Sequence, residues 1–127
     1  MRLNRILLVD DEPDIRMVAG LSLRKIGGYE VLDAESGPAG LCIAESDSPD
    51  LIILDVMMPE MDGLTTLRKL RENPNTCNIP IIFMTARVQK TEIELYMKSG
   101  AIGVIEKPFD PMSISARVAA IASSIAA

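Results

Sequence analysis

Four separate apolar runs in this chain end in residues that can do chemistry. Ile6-Leu7-Leu8-Val9 leads into Asp10-Asp11-Glu12, and Leu51-Ile52-Ile53-Leu54 leads into Asp55. Ile81-Ile82-Phe83-Met84 leads into Thr85, and the weaker run Ile102 to Ile105 leads into Glu106-Lys107-Pro108. Crowded together, Asp10, Asp11 and Asp55 would repel one another by roughly 1–4 kcal/mol per pair at ~4 Å, for effective dielectrics from water-like to ~20. A divalent cation relieves such repulsion. Oxygen ligands without histidine or thiolate favour a hard ion, and magnesium typically takes one or two carboxylates together with waters and phosphate oxygens. Lys107 adds a positive point charge and Thr85 a hydroxyl donor, which together suit the equatorial oxygens of a transferring phosphoryl group. A carboxylate such as Asp55 can act as nucleophile and form an aspartyl-phosphate.

These groups meet only if the runs are strands of one sheet. The three strong runs are continuously hydrophobic and bounded by polar or turn residues, as expected of strands covered on both faces of a parallel sheet. Tyr29 to Asp33 alternates and reads as an edge strand, and Ile102 to Ile105 is a weaker fifth strand. Helices fit between them. One runs from about Asp14 to Ile26, after Pro13 and before Gly27-Gly28; a second runs from a Ser36 cap through about Glu45, closing before Pro49. A third spans Gly63 to Glu72 with Leu64, Leu67 and Leu70 on one side, ending at Asn73-Pro74. Thr91 is the expected cap of a fourth that ends near Gly100. Asp110 is the expected cap of a fifth, with Pro111 at its first position and Ile114, Val118, Ile121 and Ile125 on its apolar stripe. Five β-α units with right-handed crossovers give a three-layer, doubly wound α/β domain. Ligands of such sheets bind beyond the carboxyl ends of the strands, which is where the candidate groups fall.

Composition narrows the field. A chain of 127 residues suits one domain, and 48% hydrophobic residues suit a substantial core, which only 3% aromatics leave to aliphatic and methionine side chains. A net charge of −5 argues against direct nucleic-acid or anionic-membrane binding. No apolar run approaches a membrane span and the amino terminus lacks a secretory pattern, so a cytoplasmic location is expected. Cys42 and Cys77 have no metal-ligand spacing and read as buried or partly buried thiols. The absence of histidine excludes Ser-His-Asp and Cys-His catalysis, histidine zinc sites and a phosphohistidine on this chain.

Asp10-Asp11, the run Asp55-Val56-Met57-Met58-Pro59-Glu60-Met61-Asp62-Gly63, Thr85-Ala86 and Lys107-Pro108-Phe109 together resemble the receiver domain of two-component response regulators, the CheY-like family. The resemblance spans roughly residues 4 to 125, within a single domain 1–127 with no output domain expected in this chain. It implies a flavodoxin-like sheet of order 2-1-3-4-5. Asp55 would be the phosphoacceptor. Asp11, Asp55 and the backbone carbonyl of Met57 would hold magnesium (with manganese or calcium as substitutes), and Asp10 would act mostly through water. Thr85 would bond a phosphoryl oxygen and move with it, and Lys107 would pair with the phosphoryl group, directed to the pocket by a cis Lys107–Pro108 bond. The implied donor is a histidine kinase or phosphotransfer protein. The implied target is a downstream protein or a separate output domain. Self-association would be weak at most, through the face formed by the fourth helix, fifth strand and fifth helix.

One position departs from the family pattern. Val104 stands three residues before the lysine, where many receivers carry an aromatic ring that swings inward as the threonine moves. Tyr96 and Phe83 are read as ordinary packing residues rather than substitutes. Met57, two past Asp55, and Arg87, two past Thr85, occupy positions that modulate phosphoryl lifetime in this family; each is equally well read as functional or neutral. Most of the 8 methionines read as core or loop packing, Met17 and Met84 among them, while Met97 and Met112 lie near the expected output face. Glu12, Glu60, Asp62 and Glu106 read as solvated residues or caps. Two other functions remain open: a magnesium-dependent phosphohydrolase with an aspartyl nucleophile, and a receiver that serves only as a scaffold. The first is disfavoured by Met57, where such enzymes often carry a second carboxylate, and the second by the intact acid, threonine and lysine set.

Overall fold

A computed structural model describes residues 3–124. β1 (Arg5–Val9) leads to α1 (Pro13–Lys25), β2 (Glu30–Ala34) to α2 (Gly37–Asp47), and β3 (Leu51–Asp55) to α3 (Gly63–Glu72). β4 (Ile81–Thr85) leads to α4 (Lys90–Lys98) and β5 (Gly103–Glu106) to α5 (Ile114–Ser123). The strands are parallel and lie in the order 2-1-3-4-5. The expected doubly wound, flavodoxin-like domain is the fold observed.

Alternation along the strands divides the core into two layers. Leu7, Val9, Ile52, Leu54, Ile81 and Phe83 face one side, where they meet Ala44 of α2, Leu67 and Leu70 of α3 and Tyr96 of α4. Ile6, Leu8, Leu51, Ile53, Ile82, Met84 and Ile105 face the other, against Ala19 and Leu23 of α1 and Ile114 and Val118 of α5. Every residue of β3 and β4 is buried, which is why their sequences read as unbroken apolar runs. No helix among the described residues is long and apolar enough to cross a membrane.

Local chemistry sets the helix ends. Pro13 occupies the first turn of α1, and the chain leaves α1 through Gly28 at a φ of 73°, a left-handed turn that glycine adopts without strain. Ser36 accepts a hydrogen bond from the Ala39 amide, as expected of its cap. Asp62 does the same for Thr65 at 2.8 Å, so this acid is a cap.

Several expectations are corrected. The edge strands β2 and β5 each run one residue later than the apolar pattern suggests, because their pairing with the interior strands extends to the rim, Val9 opposite Ala34 and Thr85 opposite Glu106. Thr91 does not cap α4. That helix begins at Lys90 with Gln89 as its cap, two residues earlier than expected, and the Glu92 carboxylate accepts from the Gln89 amide. Asp110 accepts from the Met112 amide at 2.9 Å, two residues on, so it closes an Asx-type turn and α5 begins at Ile114 rather than Pro111. Met17 is 65% exposed, since α1 buries Ala19, Ser22 and Leu23 and turns Met17 outward. Cys42 is exposed and Cys77 half-buried, both as free thiols. α2 buries Gly37, Gly40 and Ala44, which leaves Cys42 on its outer side. Ile125 lies outside the described residues, as do the last residues of the expected fifth helix.

α3 enters almost against the end of β3. The Gly63 amide donates to the Val56 carbonyl at 2.8 Å, and a Cβ at residue 63 would collide with the Asp55 carbonyl oxygen and lie 2.8 Å from the Val56 Cα. Alanine is the better helix former by about 0.5–1 kcal/mol. The collision is with backbone, which cannot swing aside. Gly63→Ala is therefore expected to lower stability by about 1–3 kcal/mol, read as a lower urea midpoint at unchanged slope; an equal or higher midpoint would refute this packing.

Candidate functional site

Strand register brings the chemical groups together. Val9 pairs with Leu54, so Asp10 emerges beside Asp55; Asp55 pairs with Met84, so Thr85 lies one residue further out. Thr85 in turn pairs with Glu106, and Lys107 follows one residue beyond. The offset carries the row across the sheet along the carboxyl ends of β1, β3, β4 and β5. It centres on β1 and β3, where the strand order reverses and open α/β sheets bind ligands.

Asp10 and Asp55 are almost wholly buried, at 0% and 2% exposure, while Asp11 is half-exposed. The Lys107 ammonium lies 2.8 Å from Asp10 Oδ2 and 3.3 Å from Asp55 Oδ1, and 4.0 Å from Glu12. The Met57 amide donates to the same Asp55 oxygen at 3.3 Å, so Oδ2 of Asp55 takes neither contact. Asp10 Oδ1 accepts from the Glu12 amide at 2.9 Å and fixes the turn into α1. The Thr85 hydroxyl is buried and accepts from the Arg87 amide at 3.0 Å. The Lys107–Pro108 peptide bond is cis.

The electrostatics are unbalanced. Burial, then the neighbouring Asp10 charge, pushes the Asp55 carboxyl from its usual 3.8 up to about 7, against the pull of Lys107. Burial by itself would lower the Lys107 ammonium, but its contacts with Asp10 and then Asp55 outweigh that and hold it above its ordinary value. One ammonium thus serves two buried carboxylates with a third beside them.

Ligand atoms of Asp10, Asp11 and Asp55 lie within 4.8 Å of one another. Asp10 Oδ2 is buried, meets Lys107 only as an ion pair, and has no well-formed hydrogen bond. An all-oxygen set with surplus negative charge and an under-satisfied carboxylate oxygen fits a hard divalent cation.

Other predicted positions sit at the rim or away from it. Met57 is 54% exposed, with its amide directed to Asp55. Arg87 is exposed, and its backbone rather than its side chain is the part tied to Thr85. Val104 is half-buried and pairs with Phe83. Phe83 and Tyr96 pack with ring centroids 5.4 Å apart. Two contacts were not foreseen. The Arg16 guanidinium of α1 donates to the Asp10 carbonyl at 2.7 Å, and nothing in the sequence sets Arg16 apart from other helix arginines. The Tyr96 hydroxyl donates to the Arg87 carbonyl at 3.0 Å; the available signal was a tyrosine in a chain with few aromatics.

A parallel doubly wound sheet with an aspartate-lined pocket at its switch point is the architecture of a receiver module. The chain belongs to the response regulator receiver domain family, whose pattern matches residues 6–119. It is 42% identical over 115 residues to the response regulator PleD of Caulobacter vibrioides, covering 90% of this chain and 25% of that protein. It is 39% identical over 117 residues to the alkaline phosphatase synthesis transcriptional regulatory protein PhoP of Bacillus subtilis, covering 92% and 48%. The chain thus spans a quarter to about a half of these relatives. Among solved structures, chemotaxis protein CheY4 of Vibrio cholerae superposes with a TM-score of 0.86 at 29% identity, over 94% of this chain and 99% of that one. A response regulator from Desulfuromonas acetoxidans gives 0.84 at 26% identity, over 96% and 98%.

The raised Asp55 pKa has a consequence for metal-free protein. The folded form holds the proton more tightly than the unfolded chain, so this group's stabilising contribution is full below about pH 4 and is lost as pH rises towards about 7. Asp55→Asn removes that loss. In chelator-treated protein, its stability advantage over the parent is expected to grow from pH 4 to pH 7 in urea unfolding; a gap independent of pH would contradict the burial argument.

Proposed function

We propose that this chain is a phosphorylation switch in which Asp55 accepts a phosphoryl group from a separate donor protein. The observation that carries this reading is the buried Asp55 carboxylate, with Lys107 at 3.3 Å and the Asp10 and Asp11 carboxylates within reach of one shared cation. The Asp55 carboxylate, deprotonated, attacks the donor phosphorus. A bond forms from its oxygen to phosphorus, the bond from phosphorus to the donor breaks, and the bonding pair leaves with the donor. Contact with Lys107 favours the ionised nucleophile and then the anionic product. Thr85 donates to a phosphoryl oxygen. Magnesium held by Asp11, Asp55 and the Met57 carbonyl, with Asp10 through water, would neutralise charge on the transferring group.

A chain without histidine cannot be its own phosphohistidine donor, which supports a histidine kinase or phosphotransfer protein in that role. The product of the reaction is a conformation rather than a released metabolite, so the module signals rather than turns over substrate. Its consumer is a downstream protein or output domain, and the cytoplasm suits both exchanges. Arg87 and Met57, both exposed and tied through their amides to Thr85 and Asp55, are positioned to influence how long the acyl phosphate survives.

Mass spectrometry after treatment with acetyl phosphate and magnesium tests the reading. The parent gains the mass of one phosphoryl group; Asp55→Asn gains none, and chelating the magnesium abolishes the gain in the parent. Labelling that survives in Asp55→Asn, or a parent that never labels, would overturn it.

A further inference from the structure

The structure raises the question of what takes the place of the missing ring at position 104. Val104 pairs with Phe83 across the β4–β5 ladder, and both side chains belong to the layer facing α4. Tyr96 of α4 enters that layer at 3% exposure and packs on Phe83. Its ring thus covers the face of β4 that carries Phe83 and, two residues on, Thr85. Arg87 joins the two buried hydroxyls through its backbone. Its amide donates to Thr85 Oγ at 3.0 Å, and its carbonyl accepts from the Tyr96 hydroxyl at 3.0 Å.

We infer that Tyr96 is a positioning residue of the switch: it holds the segment after Thr85 in its resting form through the Arg87 carbonyl, and it carries movement of Thr85 into α4. This rests on the phosphoacceptor reading above. When Thr85 turns its hydroxyl to a phosphoryl group on Asp55, its oxygen leaves the Arg87 amide. Arg87 is then held only at its carbonyl, and the peptide unit that bears this carbonyl turns about the Arg87 backbone torsions and releases the Tyr96 hydroxyl. The group released belongs to the helix itself, so α4 feels the change without any rotation at position 104. Burial raises the Tyr96 phenol above its ordinary pKa while the nearby Thr85 side chain works against that rise, which agrees with the two hydroxyls sharing one environment. The link favours the resting form only, so its loss favours the switched form and everything that binds it.

The test uses Tyr96→Phe, which keeps the ring packed on Phe83 and removes only the hydroxyl, with magnesium and beryllofluoride as the phosphoryl mimic. Fluorine NMR reports occupancy of Asp55. No bound signal in the parent would overturn the phosphoacceptor reading itself. With a bound signal present, Tyr96→Phe is expected to bind beryllofluoride about five-fold more tightly, the effect of one lost hydrogen bond in the resting form. Hydrogen exchange supplies the second readout. Beryllofluoride should speed exchange of α4 amides about five-fold in the parent, and Tyr96→Phe should show that faster exchange already without the ligand. Tyr29→Phe makes the same chemical change at the other tyrosine and should leave both readouts at parent values. A tyrosine that merely packs gives parental affinity and a parental exchange response in Tyr96→Phe. That result, or an equal shift in Tyr29→Phe, would overturn the inference.

Discussion

Two buried carboxylates sharing one ammonium is the constraint around which this molecule is arranged. Asp10 and Asp55 are buried against Lys107, with the half-exposed Asp11 beside them. A buried charge is costly unless paired and hydrogen-bonded, and here the pairing is incomplete by design of the site: the negative charge exceeds the positive. That surplus is the kind of charge imbalance that a hard divalent cation offsets. Burial first, and the charge of Asp10 after it, make the carboxyl of Asp55 hold its proton more tightly than an exposed aspartate does.

Such a cluster persists only because the rest of the fold holds it in place. The interior strands are buried from end to end, and a shift in the register of β3 by one residue would turn its apolar side chains to the wrong layers. Core packing therefore fixes the position of Asp55 to within a residue without any contribution from the site itself. The rim segments are different in kind. They are held by a few directed bonds, such as Asp10 to the Glu12 amide and Asp62 to the Thr65 amide, and by the close approach that only Gly63 permits. A close-packed sheet with loops held by a few bonds leaves the rim easier to rearrange than the core.

Val104 offers no ring with which a change at the rim could reach α4. A small β-branched side chain fills its place in the layer without a polar group to exchange partners. The Arg87 backbone instead lies between the hydroxyls of Thr85 and Tyr96, within hydrogen-bond distance of both. A route through the two peptide units that meet at the Arg87 Cα would depend on hydrogen-bond exchange rather than on room for a ring to swing, and it would end on α4.

The apolar runs at Ile6, Leu51 and Ile81 determined by themselves that buried parallel strands would form, and the residues that end them determined the chemistry available at one rim. Both are local: period, length and the residue that follows a run are visible along the chain. Helix starts were visible where the cap bonds three residues ahead, at Ser36 and Asp62, and were misjudged where a side chain served a neighbouring turn instead, at Asp110. Exposure of Met17 and Cys42 depended on the rotation of each helix against the sheet, which short amphipathic patterns leave loosely defined. Only the tertiary structure decided that Lys107 sits between Asp10 and Asp55, that Arg16 grips the Asp10 carbonyl, and that Tyr96 reaches Arg87. These contacts join residues from different elements, and their distances come from register and packing rather than from any spacing along the chain.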